Sequence, residues 1–164
     1  MGKTHEPPVV SDLIITDVFT VSPDMTLEEV VHLLVKKQIP AAPVVVENNG
    51  GLELIGIISE RDCIEYLSSE VFYGNPGVTV KHMMERFPLC VSPETDIFSM
   101  AIIFTQHPYR HLPVVQKKKL MGIISRRDVL GGLFDFHMRA AQVTSKKKSP
   151  LDYHELANLR FIIK

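Results

Sequence analysis

This chain writes one stretch twice. GIISERD at residues 56–62 returns, with one residue changed, as GIISRRD at 122–128. Two further landmarks repeat around it: VSP at 21–23 and 91–93, and PVV at 43–45 and 113–115, each pair 70 residues apart. GIIS itself recurs after only 66 residues. The register therefore holds without a gap until just past PVV, where the second copy is four residues shorter. Self-similarity at a fixed offset means one supersecondary unit built twice, and it constrains the fold more than any single segment does. The shortening marks a surface turn. ENNGG at 47–51 has the Asn-Gly chemistry of a hairpin, and KKK at 117–119 is its reduced counterpart.

Each copy reads β-α-β-β-α. A short helix leads, around Asp12–Thr16 and around Val80–Glu85, followed by a strand at Phe19–Ser22 and at Leu89–Ser92. An amphipathic helix comes next. Thr26 and Glu29 form a capping box, and Leu27, Val30, Val31 and Leu34 recur at helical spacing. Seventy residues on, Asp96 takes the cap, and Ile97, Met100, Ala101 and Phe104 repeat the pattern. Two strands follow, Pro43–Val46 with Leu52–Ser59 and Pro113–Gln116 with Leu120–Ser125, then a helix starting near Asp62 or Asp128. YGNPG at 73–77 separates the copies. The domain reading is an extension at 1–9, repeats at 10–75 and 76–145, and a linker with a helical tail at 146–164. A unit of under about 70 residues seldom holds more than about 3–5 kcal/mol in its own core. The copies are therefore expected to pack together about a pseudo-twofold axis, which creates two related clefts, each lined by both copies. The fold class is α+β.

Composition excludes several functions. The 164 residues carry a net charge of −1, so no overall basic field points to nucleic acid or to an anionic membrane. No apolar run approaches the roughly 18 residues of a membrane span. MGKTHEPP lacks the apolar core of a signal peptide and has Glu6 where a myristoylation motif wants Ser or Thr. A cytoplasmic protein is the expectation. Cys63 and Cys90 form no CxxC and read as free, buried thiols. No phosphate-loop, nucleophile-elbow, zincin or dinucleotide fingerprint is present, and no catalytic residue is assigned.

The order strand, SP, helix, PVV, strand, GIISxRD, helix, in tandem over roughly residues 10 to 140, resembles a pair of CBS domains, or Bateman module. The resemblance implies a regulatory module without catalysis. It would bind an adenosine compound between the repeats (AMP, ADP or ATP, sometimes S-adenosylmethionine or NAD) and act on a separate protein. It also implies a role for the repeated stretch, in which Ser59 with Asp62, and Ser125 with Asp128, would meet the ribose. The chemistry fits, because a carboxylate accepts hydrogen bonds from both vicinal hydroxyls. The helix beginning there would turn its first amides toward an anion. Alone, S-x-x-D reads as a helix cap; the tandem context favours the ribose. Gly56 and Gly122 would allow close backbone approach. By resemblance the base would lie against Thr20, Val21, Ser22 and Pro23 with Ile39, Pro40, Ala41 and Ala42 in one cleft. In the other it would lie against Cys90, Val91, Ser92 and Pro93 with Tyr109, Arg110, His111 and Leu112. These residues are equally good core material.

By the same resemblance, phosphate-binding cations would come from the repeat opposite each aspartate. The Asp62 cleft would then face Arg110, His111 and Arg127, and the Asp128 cleft only Pro40, Ala41 and Arg61, making the second the weaker site. One of Arg126 and Arg127 should face a cleft. His107 and His111 are four residues apart, but Pro108 forbids the helix that would align them on a metal. No cofactor is required. The lysines at 117–119 read as a solvated turn, and KKKSP at 146–150 as a linker. Gly131 and Gly132, within a helix, would permit close contact inside the module or across a dimer. Leu130, Leu133 and Phe134 beside them would support a homodimer. The tail SPLDYHELANLRFIIK lies outside the resemblance and reads as a helix with one apolar face, able to dock on the module, a dimer mate or the regulated partner. The alternative function is a dimerisation or interaction module that binds no ligand.

Overall fold

Thr26 and Glu29 start the first long helix as their spacing predicts. In this computed structural model, which describes residues 6–69 and 77–147, the Thr26 hydroxyl accepts from the Glu29 N–H at 3.3 Å. The Glu29 carboxylate in turn accepts from the Thr26 N–H at 2.8 Å. Helix α1 then runs Leu27–Lys37 and buries Leu27, Val30 and Leu34. In the second copy Asp96 accepts from the Phe98 and Ser99 N–H groups, and that helix, Ile97–Gln106, buries Ile97, Met100 and Phe104. Each such side chain contributes about 1.5–3 kcal/mol by leaving water.

Strand β1 (Ala41–Asn48) pairs antiparallel with β2 (Gly51–Ser59), and β3 (His111–Gln116) with β4 (Lys119–Ser125). The sheet order is β1-β2-β4-β3. The hairpins meet near their turns, with Glu53 opposite Lys119 and the Leu54 N–H donating to the Lys118 carbonyl at 3.1 Å. The four missing residues are not lost from the turn, as the sequence suggested. Both turns have two residues, and each arm of the second hairpin is two residues shorter: strands of 6 and 7 residues against 8 and 9. Removing two per arm keeps every side chain on its own face, because the strand period is two. Both hairpins also carry a register shift at the same place, after Val44 and after Val114.

The first turn has left-handed φ at Asn49 (46°) and Gly50 (71°); the second has it at Lys117 (50°) and Lys118 (68°). Asn-Gly suits that geometry, whereas lysine is strained there by about 1 kcal/mol or more. Lys118→Gly is therefore expected to stabilise the chain by about 0.5–1 kcal/mol, read as a raised midpoint in urea with an unchanged slope.

The predicted strands at Phe19–Ser22 and Leu89–Ser92 shrink to single bridging residues, Val21 beside Val44 and Val91 beside Val114, both parallel. Ser22 and Ser92 accept from the N–H two residues on, so the VSP stretches turn at once into the helix approach. With so little strand, Cys90 is exposed rather than buried; Cys63 is buried as expected.

The leading segments differ most from a side-by-side reading of two repeats. The first is a 3-10 turn at Val10–Asp12, and the second a short helix, α3 (Val80–Met83). Each packs on the other copy. Val10, Leu13 and Ile14 join the core around Ile97, Met100 and Phe104, while Val80, Met83 and Met84 join the core around Leu27, Val30 and Leu34. The bonds repeat in kind: Val10 N–H to Thr95 O and Ser11 N–H to Pro93 O, then Val80 N–H to Met25 O and Lys81 N–H to Pro23 O. Ile15 exchanges two backbone bonds with Ile123, and Glu85 two with Ile57. Gly122 and Gly56 make room for this. A Cβ on Gly122 would stand 2.3 Å from the Ile15 carbonyl oxygen, and one on Gly56 would stand 2.8 Å from that of Glu85.

Helix α2 (Glu60–Ser68) follows β2; α4 is the Ile97–Gln106 helix; α5 (Arg126–Lys147) follows β4 and continues into the lysines read as a linker. Of the glycine pair in α5, Gly132 packs inside the module, where a Cβ would meet Ile97 at 2.6 Å and Leu13 at 2.8 Å, whereas Gly131 faces open space. The YGNPG break, apart from Gly77, and the tail reading over 148–164 fall outside the described residues. Among the described residues no helix is long and apolar enough to cross a membrane.

Candidate functional site

The two matching helix starts are built alike. Ser59 caps α2: its hydroxyl donates to Asp62 Oδ2 at 2.6 Å, its N–H donates to the same oxygen at 2.8 Å, and the Asp62 N–H donates back to Ser59 Oγ at 3.4 Å. Ser125 and Asp128 repeat this at 2.5, 2.8 and 3.2 Å. The cap reading of S-x-x-D is therefore realised in both copies. It does not exhaust the aspartates, because both bonds that each carboxylate accepts fall on Oδ2. Among the described residues no donor occupies Asp62 Oδ1. The serine fixes the carboxylate's orientation and leaves one oxygen to act outward.

Around Asp62 opens a cleft of about 650 Å³ lined by both repeats. The first repeat supplies Pro40, Ala41, Ile57, Ser59, Arg61 and Asp62, and the second supplies Tyr109, Arg110, His111 and Leu112. Strand pairing positions the two sides, with Ala41 opposite Ser59 and His111 opposite Ser125. The Glu60 N–H donates to the Pro40 carbonyl at 2.9 Å, and the Arg126 N–H to that of Arg110 at 3.1 Å. Two of the amides expected to await an anion at α2 are thus already used, that of Glu60 by Pro40 and that of Asp62 by Ser59.

Arg110 and His111 of the second repeat share the cleft with Asp62, the juxtaposition expected from the resemblance. The other expected cations are distributed differently. Arg61, expected at the opposite cleft, is in the lining of this one. Pro40 and Ala41 line the same cleft too. Arg127 is not in its lining, and neither is Arg126, whose guanidinium donates to the His107 carbonyl at 3.1 Å. Ser125 and Asp128 lie outside it as well.

The expected base-binding residues divide. Val21, Ala42 and Val91 are core, with Ile39 packed against it. Thr20, Ser22, Pro23, Cys90, Ser92 and Pro93 are not in the lining, and Pro88 and Leu89 occupy the wall where the Cys90–Pro93 stretch was expected. The reason is the reduced leading strand: only one residue per copy pairs, so the segment before it, not the VSP stretch, reaches the opening.

Sequence reasoning missed three acids in the lining: Glu60, Glu65 and Glu85. Glu65 was legible in principle, being one helical turn beyond Arg61 on α2. Glu85 was not, because only the exchange of leading segments carries it there. Burial lowers the pKa of His111, Asp128 nearby opposes this, and Arg110 adds to it. Burial, then Asp62 and Glu60, push the Cys63 thiol up to about 11, so it stays protonated and inert beneath the site. The cleft offers apolar walls from Ile57, Leu89 and Tyr109, an oriented carboxylate and two guanidinium groups. This arrangement can hold a flat apolar ring system, a diol and an anionic group together.

The CBS domain family model matches residues 10–69 and 80–135. An inosine-5'-monophosphate dehydrogenase of Korarchaeum cryptofilum is 33% identical over 117 residues, 71% of this chain but 22% of that enzyme. The chain thus spans about a fifth of that relative. Among solved structures, CBSX2 in complex with AMP superposes with a TM-score of 0.69 at 26% identity, covering 79% of this chain and 98% of that one. Protein MJ1225 of Methanocaldococcus jannaschii gives 0.70 at 27% identity, with 78% and 48% covered. With two family matches in the order of the two repeats, and a cleft framed between them, this chain belongs to the CBS domain family as a tandem pair.

Proposed function

We propose that this pair is a regulatory module that binds an adenosine compound such as AMP in the Asp62 cleft and signals its presence to a separate protein, with no catalysis of its own. One observation carries the reading: an aspartate whose Oδ2 is held by its own cap faces, across one cleft, Arg110 and Tyr109 of the other repeat. Asp62 would accept from the ribose hydroxyls, Arg110 and Arg61 would hold the phosphate, and the apolar walls would cover the base. The AMP complex of CBSX2 supports the ligand class. Calorimetry and thermal shift against AMP, ADP, ATP, GMP, S-adenosylmethionine and NAD test it. Saturation at about 100 times Kd adds about 2.7 kcal/mol, a plain rise in melting temperature. No shift with any adenosine compound would refute the reading.

The second reading, a dimerisation module, is favoured by one feature. Leu130 and Phe134 on α5 are 69% and 61% exposed, with Met138 one turn further along the same face. The two readings are compatible, and we propose that this face pairs two copies. Leu133, named with them from sequence, instead packs on the core of the second repeat. Phe134→Asp is expected to convert a dimer to a monomer in light scattering. A monomer mass for the unaltered chain at high concentration, with and without AMP, would end the proposal.

A further inference from the structure

The charge of the Asp62 cleft runs against a highly phosphorylated ligand. Its lining holds four carboxylates, Glu60, Asp62, Glu65 and Glu85, against two guanidinium groups, Arg61 and Arg110. Burial lowers the pKa of His111, which disfavours a third positive charge there. Among the described residues no ion pair joins these groups, and the carboxylates outnumber the guanidinium groups two to one. Glu85 cannot withdraw as a unit. Its N–H donates to the Ile57 carbonyl at 2.9 Å and its carbonyl accepts from the Ile57 N–H at 3.0 Å, which pins its backbone at the wall of the cleft. Glu60 is held likewise by its bond to Pro40. If Asp62 serves the ribose, three glutamates and two arginines remain in the lining to meet the rest of the ligand.

Resting on the ligand reading above, we infer that Glu60, Glu65 and Glu85 are specificity-determining residues that cap the negative charge the cleft accepts, selecting AMP or adenosine over ATP. One phosphate can be met by Arg61 and Arg110 together. Each further phosphoryl group adds negative charge without a new cation and must pass the glutamates. Juxtaposed like charges serve chiefly to exclude wrong partners.

The test is calorimetry of the full chain with adenosine, AMP and ATP, with and without magnesium, at low and high salt. AMP is expected to bind about tenfold or more tightly than ATP, with the gap narrowing as salt screens the cleft. Glu60→Gln, Glu65→Gln and Glu85→Gln combined should raise the ratio of ATP to adenosine affinity about tenfold. Glu85→Gln alone should move it the same way, which keeps the test open if the triple variant folds poorly. The inference is overturned if ATP binds as tightly as AMP, if magnesium makes ATP the preferred ligand, or if the ratio does not move in either variant. Absence of binding by adenosine, AMP and ATP alike would instead count against the ligand reading on which this rests, whereas binding of ATP alone would overturn the inference.

Discussion

Asp62→Ala is expected to weaken AMP binding at its cleft by roughly tenfold to over a hundredfold, since hydrogen bonds to a charged group contribute about 1.5–3 kcal/mol. The same change removes half of the α2 capping box, for a further cost of about 0.5–2 kcal/mol in stability. The two losses can be separated. Asp62→Glu restores S-x-x-E, the common form of the box, so the chain should melt near the unaltered protein. The added methylene nevertheless displaces the carboxylate from the ribose, and AMP binding should still fall. Calorimetry and thermal denaturation on both variants check this. Unchanged AMP affinity in the Asp62→Ala, Asp128→Ala double variant would remove the aspartates from the site.

Gly122→Ala should be the most damaging small substitution in the sheet. The new Cβ would lie 2.3 Å from the Ile15 carbonyl oxygen and 2.6 Å from Ile14 Cγ1. The carbonyl cannot retreat without breaking the paired bonds between Ile15 and Ile123, both 2.9 Å. Overpacking against fixed backbone costs about 3 kcal/mol, or about 6–12 °C in melting temperature for a chain of this size. Gly131→Ala is the contrast. Nothing lies within 4 Å of that added carbon, and the better helix former should stabilise α5 by up to about 1 kcal/mol. Similar melting temperatures for the two variants would mean that the first leading segment does not dock on β4.

Much of the architecture was legible because local chemistry and the repeat agree. Thr26 and Asp96 cap helices whose apolar faces recur 70 residues apart, and Asn49-Gly50 can hardly be anything but a hairpin turn. What could not be read depends on which copy a segment chooses. Val10 and Val80 look alike and suit either core, so nothing in one strand or helix announces that each crosses to the other repeat. That crossing also decides the site, for it brings Glu85 to the cleft. The pairing of Asp62 with Arg110 and His111 came from resemblance rather than from spacing. The opposite-repeat rule puts Arg127 at the Asp62 cleft and Arg61 at the other, whereas the lining of the Asp62 cleft holds Arg61 and not Arg127. The repeat placed a turn at the lysines, but its left-handed backbone at Lys117 and Lys118 was hidden because it lacks the glycine that would mark it.

A crystal structure of the chain with AMP tests the central claim most directly. The account predicts AMP between the repeats, with its ribose hydroxyls on Asp62, its base against Tyr109 and Leu89, and its phosphate facing Arg110. AMP bound only elsewhere on the chain, or a vacant Asp62 cleft at a concentration that calorimetry shows to be saturating, would contradict it.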